Sequence, residues 1–216
     1  MEREFELLKR LRFGSISEGE LLDIYHTHKD SYRVLFHLVQ HPQFPERFSL
    51  NIIPNLFSMD LVRVIKNQRT RPYVRKRAEL EFTSRYQRLP LGERISLIKV
   101  APYSLLLYFI EEKDPRILEI ILQNSQCTED LVIRFLNREG PRFSFYGALG
   151  ESDWCKRPQV AERVALDEQA PIKILLQIIP FLSPSKLRAL YRREETHEIV
   201  KKNIVILMSR RAEGEA

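Results

Sequence analysis

The stretch PERFSLNIIPNLFSMDLVRVIKNQRTRPYVRK, residues 45–76, decides the fold because the chain says it twice. At an offset of 126 residues stands PIKILLQIIPFLSPSKLRALYRREETHEIVKK, residues 171–202, aligned without a gap. Identities pair Pro45 with Pro171, Leu50 with Leu176, Ile52-Ile53-Pro54 with Ile178-Ile179-Pro180, and Leu56 with Leu182. They continue through Leu61 and Leu187, Thr70 and Thr196, Val74 and Val200, Lys76 and Lys202. Most other pairs are apolar with apolar or basic with basic. Self-similarity of this kind marks a repeat architecture.

Each copy has one physical grammar. A helix opens at proline, where the missing amide proton costs nothing, and its apolar face ends in Ile-Ile-Pro. A second helix starts near Ser58 or Ser183 and carries Leu61 and Val64, or Leu187 and Leu190. A polar turn follows, then a longer third helix from Pro72 or Glu198.

Outward from the copies the rhythm holds. Leu131, Val132, Phe135 and Leu136 form one helical stripe, as do Ile117, Ile120 and Ile121 after Asp114-Pro115. Ser17-Glu18-Gly19-Glu20 has capping-box spacing, and Asp30, Asp114, Thr128 and Ser183 each offer a capping oxygen. Pro42, Pro72, Pro90, Pro102, Pro115 and Pro184 fall between stripes, and no stretch alternates as a strand does. The 7 glycines are too few for the tight turns of a barrel or sandwich. The reading is roughly a dozen short, antiparallel helices joined by short connections.

A shorter echo runs through His41-Pro42-Gln43-Phe44-Pro45, Asn124-Ser125-Gln126-Cys127-Thr128 and Asp167-Glu168-Gln169-Ala170-Pro171. In each, a polar residue ends one helix and a Pro or Thr opens the next four residues later. One helix pair cannot bury its own apolar face, so stacking supplies the core. The polar-Pro-x-x-Pro openings and the Val-Arg-Lys-Arg-Ala run at Val74–Ala78 resemble HEAT-like repeats and the related leucine-rich-repeat variant, α-solenoids of many bacterial proteins. The resemblance covers about Asp30 to Arg211. It implies an all-α, right-handed solenoid presenting a curved surface to a partner, and it carries over no catalytic residue. The organisation expected is capping helices over 1–29, repeats over 30–211 interrupted by an aromatic loop region at 139–158, and a frayed tail over 212–216.

Composition bounds the rest. The chain has 216 residues, enough for one large domain or two small ones, with 44% apolar and 30% charged residues. Its net charge of +6 permits an acidic protein or a nucleic acid as partner without demanding either. The acidic start, Met-Glu-Arg-Glu-Phe-Glu, is no signal peptide. The most apolar run, Ile95 to Ile110, is broken by Lys99 and Pro102 and too short to span a bilayer. Cys127 and Cys155 make no disulfide framework, which points to free thiols in a reducing cytoplasm.

Four features qualify as candidate sites. Between Leu61 and Arg88, nine basic residues oppose only Glu79 and Glu81, an excess larger than that of the whole chain. Lys66, Arg69, Arg71, Arg75 and Lys76 gather around one turn, and arginine forks suit phosphate or carboxylate. The ordinary alternative is a solvated face. His26, His28, His37 and His41 crowd one window, with His37 and His41 at the four-residue spacing that can share a metal. Since His41 has a helix-ending use before Pro42, no metal is expected. The segment with Phe143, Phe145, Tyr146 and Trp154 is either a partner-binding loop or an irregular repeat filled by aromatics. Cys127 stands just before a helix start, where its thiol would be acidified if it pointed there.

No glycine-rich phosphate loop, HExxH, paired CxxC or GxSxG occurs. The functional expectation is therefore a non-enzymatic adaptor without cofactor, binding a protein through its basic patch or aromatic segment. The alternatives are a nucleic-acid-binding solenoid, related by analogy to alkylated-DNA repair proteins, and a structural subunit of a larger assembly.

Overall fold

The structure is a computed structural model that describes residues 2–138 and 143–214. It is all-helical: the described residues hold fifteen α-helices and no strand. Two compact units divide the chain, Met1–Leu105 and Leu106–Ala216.

The first unit contains α1 (Glu2–Phe13), α2 (Glu18–Thr27), α3 (Tyr32–Val39), α4 (Glu46–Ile52), α5 (Ser58–Lys66), α6 (Pro72–Tyr86) and α7 (Leu91–Val100). A single turn, α8 (Tyr103–Leu106), marks the boundary. The second unit holds α9 (Pro115–Gln123), α10 (Glu129–Asn137), α11 (Phe143–Gly150) and α12 (Pro158–Ala165). It ends with α13 (Ile172–Ile178), α14 (Pro184–Arg192) and α15 (Glu198–Gly214). Of the expected aromatic loop, residues 143–150 are helical, Asp153–Lys156 is a 3₁₀ turn, and 139–142 lie outside the described residues.

The sequence duplication is a structural one. Helices α4, α5 and α6 start 126 residues before α13, α14 and α15, and the 3₁₀ turns Ile53–Asn55 and Ile179–Phe181 keep the same offset. The copy reaches further back than the sequence identities do. Helix α3 matches α12 at both ends, and buried Val34, Leu38 and Val39 match buried Val160, Val164 and Ala165. Packing agrees: α3 lies on α4 as α12 does on α13, and α4 and α5 lie on α6 as α13 and α14 do on α15.

The caps follow side-chain chemistry. Ser17, Asp114, Thr128 and Ser183 accept first-turn amides. At α3 the cap is Ser31, one residue past the expected Asp30. The polar turn residues behave alike. Imidazole Nδ1 of His41 accepts from the Gln43 amide, and Oδ1 of Asn67, Asn124 and Asp167 accepts from Arg69, Gln126 and Gln169. Each also accepts, through its carbonyl, the amide three residues on, which closes the turn.

The Ile-Ile-Pro signature ends a helix at a cost. Pro54 and Pro180 have no amide hydrogen, so the chain tightens into a 3₁₀ turn and its last carbonyls lack backbone partners. An arginine from the third helix supplies them. Arg85 donates Nη1 to the Leu56 carbonyl at 2.7 Å and Nη2 to Pro54 at 2.5 Å. Arg211, 126 residues later, donates to Leu182 at 3.0 Å and Pro180 at 2.7 Å. Buried Arg138 makes a variant, donating to the Ile110 and Glu112 carbonyls at 2.8 and 2.7 Å.

Charge-assisted hydrogen bonds contribute about 1.5–3 kcal/mol each, and orphaned carbonyls add a desolvation cost. Arg211→Met is therefore expected to lower unfolding free energy by about 2–4 kcal/mol in urea titration. Exposed Arg77→Met should change it by less than about 0.5 kcal/mol.

Candidate anion-binding cleft

Three elements of the first unit surround a cavity of about 540 Å³. The C-terminal turn of α1 brings Leu11, Arg12 and Phe13, and α3 with its following turn brings Phe36, His37 and Gln40 through Pro42. Arg63 comes from α5, and Asn67 and Arg69 from the turn after it. Gly14 follows α1, and an added Cβ there would stand 2.7 Å from the Arg10 carbonyl oxygen.

The three arginines are held differently. Arg63 donates to the Asp60 carboxylate at 2.7 Å, and Tyr32 donates its hydroxyl to the other oxygen of Asp60 at 2.6 Å. Arg69 donates to the backbone carbonyl of Arg12, which ties the α5–α6 turn to the end of α1. The Arg12 guanidinium lies 5.2 Å from the centre of the Phe13 ring and makes no hydrogen bond among the described residues. Asp60 is thus the one carboxylate tied to these cations, and an excess of two positive charges remains.

The amides are spoken for. Asn67 donates to Gln40 Oε1 at 3.0 Å, and Gln40 donates to the Phe36 carbonyl. His41 is 5% exposed, and its Nδ1 accepts a backbone amide, so its proton sits on Nε2. That buried Nε2 has no hydrogen-bond partner among the described residues. Burial, then the Arg12 charge, holds half-buried His37 below the ordinary 6.5, against the pull of Asp60. Burial, then Arg69, does the same to His41. Both imidazoles are neutral at pH 7. Nδ1 of His41 is committed to its turn, and no group of three or more metal-ligating residues occurs among the described residues.

The basic segment is partly consumed by structure. Arg71 donates to the Pro42 carbonyl at 2.6 Å and Arg75 to Gln68 at 3.0 Å. Lys76 pairs with Glu79 at 3.1 Å, and Arg85 is a carbonyl clamp. Lys66 and Arg69 are exposed. Arg12 lies outside the segment, and no local charge pattern distinguished it in the sequence. Its clue was positional, next to a helix-ending glycine.

The aromatic candidates separate by burial. Phe143 is 80% exposed, while Phe145 and Tyr146 are interior. Phe145 stacks on Phe135 with centroids 5.0 Å apart, and the Tyr146 hydroxyl donates to the buried Asp167 carboxylate. Trp154 is half-buried and its indole N–H donates to the Leu122 carbonyl at 2.8 Å. It borders an acidic hollow of about 410 Å³ with Glu119, Glu151 and Asp153. Lys173 and Lys156 pair with the last two of these.

Burial raises the Cys127 thiol to about 12 and pushes Cys155 up as well, so neither is a ready nucleophile. Comparison with protein-family models, curated proteins and solved structures gives no match for the chain.

Two outcomes follow. In the native protein, Ellman's reagent should leave both cysteines unreacted at pH 8, and both should react after unfolding. The fold favours neutral His37 and His41, so the unfolded chain takes up those protons first. Their stabilisation is complete above pH 6.5 and is lost as pH falls below it. Urea unfolding across pH 5–8 should show this slope, flattened in His37→Gln.

Proposed function

We propose that the protein is a non-enzymatic adaptor, a HEAT-like helical-repeat scaffold that holds an acidic segment of a partner protein on the cationic side of its first unit. One observation carries this reading: the duplicated scaffold keeps residues that build it, while two cations beside the cleft differ between the copies. Pro54, Thr70 and Arg85 recur as Pro180, Thr196 and Arg211. By contrast, Arg63 corresponds to Ala189 and Arg69 to Glu195. The same helix arrangement therefore forms without Arg63 and Arg69, while Lys66, Arg75 and Lys76 stay basic as Arg192, Lys201 and Lys202.

The sequence holds no catalytic motif, and the two thiols are buried, which supports binding over chemistry. Among the described residues no helix is long and apolar enough to cross a membrane. A cytoplasmic setting remains part of the proposal.

The test is fluorescence anisotropy with a labelled oligoglutamate peptide, and with single- and double-stranded DNA and RNA, across a salt series. The peptide is expected to bind, and Lys66→Glu with Lys76→Glu should weaken it about tenfold, with circular dichroism confirming the fold after Lys76 loses its Glu79 partner. Tighter binding to nucleic acid, with a steep linear fall of log affinity against log salt, would overturn the protein-partner reading in favour of nucleic acid.

A further inference from the structure

We propose that the cleft between the end of α1 and the α5–α6 turn binds a phosphate monoester carried on an apolar stem. The inference goes beyond the adaptor reading and does not depend on it.

Charge sets the first condition. Arg12, Arg63 and Arg69 border the cleft, and Asp60 is the carboxylate among their bonded partners. The surplus of two positive charges matches a phosphate dianion, whereas a single carboxylate leaves one cation uncompensated. Guanidinium forks present paired N–H groups at the spacing of phosphate oxygens.

Available donors set the second. The Arg12 guanidinium and the His37 imidazole line the cleft and make no hydrogen bond among the described residues. Arg12 is nevertheless placed, because it lies over the Phe13 ring and its own carbonyl is tied by Arg69. A ligand there meets charge already positioned, which lowers the ordering cost of binding.

Size and lining set the third. The cavity is about 540 Å³, inside the range of small-molecule sites and several times the volume of a bare phosphate. Its apolar walls are Leu11, Phe13, Phe36 and Pro42, beside Gln40, His41 and Asn67. An ion alone would leave these wetted, while an aromatic or aliphatic stem covers them. The second copy supplies a control within the chain. Glu162, Ala189 and Glu195 stand where Phe36, Arg63 and Arg69 stand in the first, and the arginines at the places of Arg12 and His37, Arg138 and Arg163, donate to the fold itself.

The probe is phenyl phosphate, titrated calorimetrically into the full chain at pH 7.5, beside inorganic phosphate and benzoate. Phenyl phosphate is expected to bind about tenfold or more tightly than either. Arg12→Gln and Arg69→Gln should each cost about tenfold or more, with circular dichroism and unfolding midpoint confirming the fold. Arg12→Gln leaves intact the backbone carbonyl that Arg69 uses, so it reads the side chain alone. Lys66→Glu with Lys76→Glu should leave phenyl phosphate binding unchanged, which separates this site from the acidic-segment surface.

Equal affinity for benzoate, no heat with phenyl phosphate up to about 10 mM, or equal binding by the Arg12 variant would overturn the proposal. Phosphoserine and phosphotyrosine peptides distinguish the source. Peptides binding more tightly than phenyl phosphate identify a modified partner side chain, and the reverse order identifies a free organic phosphate.

Discussion

The structure depends on a conflict between proline and the helix it ends. Ile-Ile-Pro stops α4 and α13 sharply, and the next helix starts six residues on, after a 3₁₀ turn. The helix end leaves the Pro54 and Leu56 carbonyls, and their copies at Pro180 and Leu182, beyond the reach of backbone donors of the same helix. Arg85 and Arg211 meet that need from the third helix, reaching back to two carbonyls two residues apart. The bond thus fixes the third helix to the end of the first. Arg85 is further held by Glu81, one helical turn before it, which limits the guanidinium to one orientation.

Much of this was legible in the sequence because helix boundaries are local chemistry. Pro45, Pro171, Ser58 and Glu198 announce their helices through proline geometry, capping and offset, and the structure places them within a residue of expectation. The extension of the copy to α3 and α12 was hidden. There the match lies in burial pattern, Val34 with Val160 and Leu38 with Val164, beside unrelated exposed residues. The carbonyl clamps were hidden for another reason. An arginine that serves a backbone atom 29 to 31 residues away has no partner type to search for.

The aromatic segment shows how composition misleads about exposure. Phe143, Phe145 and Tyr146 are close in sequence, but helical geometry sends the first outward and the others into the core. Phe145 then meets Phe135, and Arg138 lies 5.9 and 6.0 Å from the two ring centres while its Nη1 serves the Ile110 and Glu112 carbonyls. One buried cation thus joins an aromatic stack to a chain bend. A low-glycine helical chain would otherwise leave such a bend poorly satisfied.

The same distinction governs the basic residues. A run of nine cations between Leu61 and Arg88 reads as a patch, yet a hydrogen bond is a local claim on a charge. Arg71, Arg75 and Arg85 direct donors to the protein itself, and Arg63 is matched by Asp60. What a partner meets is the residue left over after these claims. At the cleft that residue is Arg12, which sequence places far from the run. The fold brings it to Arg69, whose guanidinium holds the Arg12 carbonyl beside the close backbone approach at Gly14, and the α5–α6 turn closes on Asn67. Two features of backbone geometry, neither concerned with charge, thereby bring guanidinium groups from separate elements of the first unit to one cavity with apolar walls.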